Sequence, residues 1–137
     1  MKKKRKGVTW ICREMIQSPY CIGLRQSEKV FNREMDRLEV PPGQRPDWVK
    51  PGFPATAHFF EKRSSCDMAA IVCLDVKRKE DPNRIVGLII HEAVHVWRYI
   101  REEIGEKNPS AEFEAYAVQT ISQRLITAYK QPRKKSK

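Results

Sequence analysis

The chain has 137 residues, 40% hydrophobic and 32% charged, enough for one compact domain with a single core and too little for two independently folded units. Its formal charge of +10 suggests a nucleic-acid binder only until the charge is located: Lys2, Lys3, Lys4, Arg5 and Lys6 stand at one end and Lys130, Arg133, Lys134, Lys135 and Lys137 at the other, while the remaining 17 basic residues meet all 17 acidic ones. The body is neutral overall and announces no phosphate-binding face, so the expected division is a disordered basic tail over 1–6, one domain over 7–130 and a second disordered basic tail over 131–137.

Residues 1–6 resemble the charged start of a secretory signal, but the stretch Gly7 to Glu14 is too short an apolar run to follow it. No segment approaches the length of a membrane span. Cys12, Cys21, Cys66 and Cys73 lack the C-x-x-C spacing of a structural zinc knuckle and are expected to be reduced thiols in a cytosol.

In chain order, Val8 to Cys12 and Tyr20 to Leu24 read as short strands around a loop ending in Ser18-Pro19. Val30, Phe31, Met35 and Leu38 recur at helical spacing behind a capping Ser27, which predicts a helix from Glu28 to Leu38. Val40 to Pro54 holds too many prolines and glycines for a regular element; Trp48 and Phe53 are expected to anchor it to the body as a structured connection and a candidate wall of a cleft. Ala55 to Glu61 and Met68 to Val76 read as two strands of a hairpin linked by Lys62 to Asp67. Asp81-Pro82 is a helix start, and the helix can run to about Glu103. Its apolar residues, from Ile85 to Ile100, cover most of the circumference, which predicts passage through the interior. A last helix is expected from Ser110 to Tyr129, between Pro109 and Pro132. The fold class is therefore α+β.

The chemistry concentrates in His91-Glu92-Ala93-Val94-His95. Histidines four apart on a helix project from one face and can grip one metal ion, and Glu92, offset by one position, stands beside that metal as a general base. The bland alternative, a buried helix whose histidines bond backbone carbonyls, must find separate partners for three titratable side chains within five residues; one zinc ion and its water answer all three. Catalytic zinc takes a third protein ligand and keeps one position for water. Glu114 is the candidate, because Ala117, Val118, Ile121, Leu125 and Ala128 fall within about 60° of it on a helical wheel. A carboxylate in an apolar stripe is costly unless paired or metal-bound. Glu112, on the opposite side with Gln119 and Gln123, reads as a solvated residue.

H-E-x-x-H, then 18 residues, then Glu followed by Ala resembles the gluzincin class of zinc peptidases. The phrases His91-Glu-Ala-Val-His-Val-Trp97 and Phe113-Glu-Ala-Tyr-Ala117 are also similar to small gluzincin proteins encoded by bacteriophages and prophages, over roughly residues 55 to 130. The resemblance implies a minimal zincin-like domain, a small antiparallel or mixed sheet packed on a metal-binding helix and a C-terminal helix. It implies Zn2+ on His91, His95 and Glu114, a peptide or protein substrate, and a cytoplasmic setting in a bacterial host. It also implies that the strand before the metal helix, Met68 to Leu74, is the sheet edge that pairs with an extended substrate.

The sequence departs from the thermolysin-like pattern at Val118, where those proteins carry an Asp that braces a zinc histidine. An oxyanion-stabilising residue is open among Tyr99, Tyr116, Tyr129 and His58. The expected mechanism is zinc-activated water with Glu92 relaying the proton to the leaving amine. Two rivals stand beside it: a catalytically silent zinc protein, and a module that binds nucleic acid or an acidic partner through its basic tails.

Overall fold

The computed structural model describes residues 18–61 and 68–130. The expected strand over 8–12, the hairpin link over 62–67, both basic tails, Cys12 and Cys66 lie outside the described residues. The fold class is α+β, as expected: among the described residues, a three-stranded mixed sheet and three helices.

The first strand, β1 (Cys21–Arg25), leads into helix α1 (Glu28–Arg37). Ser27 stands in extended backbone at the helix start, and its hydroxyl accepts from the Val30 N–H at 3.2 Å, satisfying one orphan donor of the first turn. Phe31 and Met35, one turn apart, are the residues α1 buries. The breaker-rich stretch that follows holds one short 3-10 turn, Pro42–Gln44. Trp48 packs against the core beneath α1, as an anchor should. Phe53 does not: its side chain is 55% exposed, and the expected second anchor is absent from both cores.

Strands β2 (Ala55–Phe60) and β3 (Ala69–Leu74) pair antiparallel, with Ala57 opposite Val72, while β1 pairs parallel with the other side of β3. The order is β1-β3-β2. This corrects the expectation for Met68 to Leu74: β3 is central, with all six of its residues buried, and among the described residues the edge nearest the metal-motif helix is β2. A fully apolar run is what a strand flanked on both sides and covered on both faces requires.

Residues alternate between the two faces of the sheet. Ala70, Val72 and Leu74 meet the larger core, with Ile89, Val96, Trp97 and Leu125 from the last two helices. Ile71 and Cys73 meet a smaller core with Phe31 and Met35. Those last helices are α2 (Pro82–Glu103) and α3 (Ala111–Lys130). Asp81 caps α2 by accepting from the Asn83 N–H, with Pro82 at the first helical position. Its C-terminus closes through Gly105 at φ 73°, with Glu106 N–H bonded to Arg101 C=O and Gly105 N–H to Glu102 C=O, a Schellman motif that needs the left-handed glycine.

α2 does not pass through the interior. Ile85, Ile89, Ala93, Val96, Trp97 and Ile100 are buried, but Ile90, His91, His95, Arg98 and Tyr99 are exposed. Three apolar side chains on the wheel, Val86, Leu88 and Val94, are only partly covered, because β2 and α3 flank the helix without enclosing it. Among the described residues, no helix is long and apolar enough to cross a membrane.

Candidate functional site

His91, His95 and Tyr99 recur every four residues on α2 and so share a face. That face borders a cleft of about 330 Å³, whose other wall is the stretch from Lys50 through Phe59. Within it the Nε2 atoms of His91 and His95 stand 3.2 Å apart, with ring centroids at 5.0 Å. Both rings are exposed, and each nitrogen turns toward the other and not toward a backbone carbonyl.

Glu92 occupies the floor. It is 6% exposed, and burial pushes its carboxyl above the ordinary carboxylate range, while the charges of His95 and His91 and a hydrogen bond from the Ala57 N–H pull the other way. The bond from Ala57 follows from the strand register. Pro54 C=O accepts from Asp75 N–H across the β2–β3 pair, so the alternation of an antiparallel ladder turns the N–H and C=O groups of Ala55, Ala57 and Phe59 outward, toward the cleft. The general-base candidate is thus tied to what is, among the described residues, the open edge of the sheet.

Glu114 is placed elsewhere. Its Oε2 accepts from Trp97 Nε1 at 2.9 Å and lies 3.7 Å from Arg101 Nη1. Trp97 and Arg101, four residues apart, lie on the α3 side of α2, with Trp97 also meeting Phe113 edge-on at 5.5 Å. The structure therefore brings His91, Glu92 and His95 together and leaves Glu114 in the seam between the last two helices. Among the described residues no three His, Cys, Asp or Glu side chains are gathered to hold a metal ion. The two imidazoles by themselves do fit one: metal–nitrogen bonds of about 2.0–2.1 Å at a tetrahedral angle set two donors about 3.3 Å apart. Glu112 is exposed, as its wheel position implied.

Of the four oxyanion candidates, Tyr99 lines the cleft, its ring stacked on Phe59 at 3.5 Å between centroids. Tyr116 is exposed on α3 and Tyr129 packs against the larger core. His58 is buried under the opposite face of the sheet, where its Nε2 donates to Trp48 C=O at 2.8 Å; burial holds its pKa below the ordinary value, against the pull of that carbonyl. Cys73 is fully buried in the sheet, its thiol pushed up to about 12 by burial, so it offers no nucleophile.

The sequence reading offered the stretch ending at Pro54 as a cleft wall without singling out Lys50, gave Phe53 as an anchor, and missed Ala57 and Phe59 as cleft residues. Lys50-Pro51-Gly52-Phe53 carries a turn signature that marks a fixed geometry there. Nothing local marks Ala57, whose role comes from strand pairing. No family model, no curated protein and no solved structure matches the chain.

Proposed function

We propose that the chain is a zinc-dependent hydrolase, a minimal zincin-like peptidase that cleaves a peptide bond. The observation that carries the reading is the pair of facing Nε2 atoms at 3.2 Å, set over a buried carboxylate at an open sheet edge. Two imidazole nitrogens at this separation match the bite of one tetrahedral cation.

His91 and His95 would hold the metal. Zinc, when bound, supplies Lewis acidity to a water and to the scissile carbonyl. Glu92 would take a proton onto its carboxylate and return it to the leaving amine, and its burial favours the protonated intermediate state of that relay. An extended peptide would add to the β2 edge through the outward groups of Ala55 and Phe59. Ala57 would orient Glu92 through its N–H. Glu114, the third donor by its wheel position and by resemblance, is engaged through Oε2 with Trp97 and Arg101.

The same seat of Glu114 favours a second reading, a metal site that binds without turnover; its mark is stoichiometric zinc with no hydrolysis of any peptide. The test begins with metal quantified by mass spectrometry on the wild type and on His91→Ala, His95→Ala and Glu114→Ala. About one zinc per chain, lost in both histidine variants, is expected. Absence of zinc from the wild type, with no uptake on addition, would sink both metal readings. Loss in Glu114→Ala would assign it as the third ligand, and retention would confine it to the helix seam.

A further inference from the structure

Lys50 to Phe53 form a hydrogen-bonded turn at the mouth of the cleft. Phe53 N–H donates to Lys50 C=O at 3.0 Å, Pro51 and Gly52 take the central positions, and Gly52 stands at φ 83°, the type II geometry that asks for glycine there. The turn is pinned to the edge strand by Lys50 N–H, which donates to Thr56 Oγ1 at 2.8 Å. Lys50 Nζ lies 5.1 Å from the Phe53 ring centroid, so the ammonium is held against the aromatic face.

This arrangement contributes little to the fold. Phe53 leaves more than half its surface in water and belongs to neither core, which forgoes most of the stabilisation that burying a phenylalanine brings. A rigid turn that presents an apolar ring and an ammonium two residues before an open edge strand is organised toward a partner. The rest of that wall is uncharged, with Ala55, Thr56, Ala57 and Phe59. Among the described residues, Lys50 therefore supplies the one positive side chain that a ligand lying along β2 would meet on this wall.

We infer that the Lys50–Phe53 turn is the specificity element of the cleft and selects extended peptides carrying a carboxylate beside an apolar side chain, the carboxylate paired with Lys50 Nζ and the apolar group laid on Phe53. The inference rests on the proposal that peptides occupy the β2 edge. An aspartate or glutamate side chain and a peptide C-terminus share the chemistry, and both would be read by Lys50.

The experiment uses two degenerate octapeptide pools, one with free C-terminal carboxylates and one amidated, incubated with the zinc-loaded full chain. Cleaved products are sequenced by mass spectrometry, and peptides retained by Glu92→Gln are sequenced in parallel. About fivefold enrichment of a carboxylate at one fixed distance from the cut is expected, as an exposed ion pair gives. It is expected to reverse toward Lys or Arg in Lys50→Glu and to lose its apolar neighbour preference in Phe53→Ala. Enrichment of Asp or Glu in both pools assigns a side chain, and enrichment confined to the free-acid pool assigns the C-terminus. Cleavage without acidic preference, or with the same preference in Lys50→Glu, would overturn the inference while leaving the hydrolase standing. Lys50-dependent retention of acidic peptides without cleavage would sink the hydrolase and keep the specificity element. Neither cleavage nor retention would remove both.

Discussion

Helix α2 has two working sides, and they treat their polar groups in opposite ways. Toward α3, the polar groups are taken up in structural contacts: Trp97 Nε1 donates to Glu114, and Arg101 approaches the same carboxylate. Toward β2, His91 and His95 face each other, and Glu92 is buried on a single backbone N–H. Polar groups on the first side close the molecule. Those on the second are held in readiness, with bonding capacity that the fold itself does not use. The difference separates architecture from function along one helix, over a distance of a few residues.

The largest effect should come from the β2 side. Glu92→Gln is expected to keep its zinc and lose about 10²–10⁴-fold in peptide hydrolysis, the span a general base contributes; activity near the wild-type rate would remove Glu92 from the mechanism. The same substitution should leave thermal stability little changed.

Next in size is the α3 side. Trp97→Ala, which removes a side chain that is 3% exposed, is expected to cost about 3–5 kcal/mol in denaturant unfolding. Tyr99→Ala, two residues on but 46% exposed, should cost about 1 kcal/mol, mostly its stacking on Phe59. Equal losses would erase the distinction between the two sides.

A smaller effect belongs to His58. Its folded pKa is depressed by burial below its ordinary 6.5, so it contributes stability that is present above that value and is lost as pH falls through the lower folded pKa. The slope cannot exceed about 1.4 kcal/mol per pH unit for one proton. Unfolding free energies measured downward from pH 7 should show it, and His58→Phe should flatten that part of the curve; an unchanged slope in the variant would assign it to other groups.

The smallest is Glu114→Gln. A neutral amide can still accept from Trp97, and the Arg101 contact is long and partly exposed, so a change below about 1 kcal/mol is expected. Zinc added to the wild type, followed by indole fluorescence with Trp97→Phe as control, sharpens the point. A Trp97-dependent change would show Glu114 leaving the seam, and none would show that it stays.

Much of this was legible because it is local. The Ser27 cap, the Asp81-Pro82 start and the histidine pair at one-turn spacing depend on residues within four positions, and the structure places each where the sequence implied. The sheet edge was not legible. A hairpin has two strands, and which of them becomes the edge depends on where β1 docks, about 45 residues away along the chain. The wheel placed Glu114 in an apolar stripe but did not identify the neighbour it would meet. The signal existed in Trp97, since a buried indole N–H needs an acceptor. Phe53 was misread for a different reason: composition alone does not distinguish an aromatic that anchors a loop from one that a Pro-Gly turn holds out in water.

The open edge of β2 has a consequence for how copies of the chain behave in concentrated solution. Outward N–H and C=O groups are a template for any extended strand, including the same strand of a second copy, and exposed edges of this kind seed aggregation unless they are short or charged. Here the edge is six residues long, and the Glu92 carboxylate caps Ala57 in its middle. The group placed for chemistry thereby also sets a carboxylate in the middle of the edge, and a chain stripped of that charge should be the less soluble one.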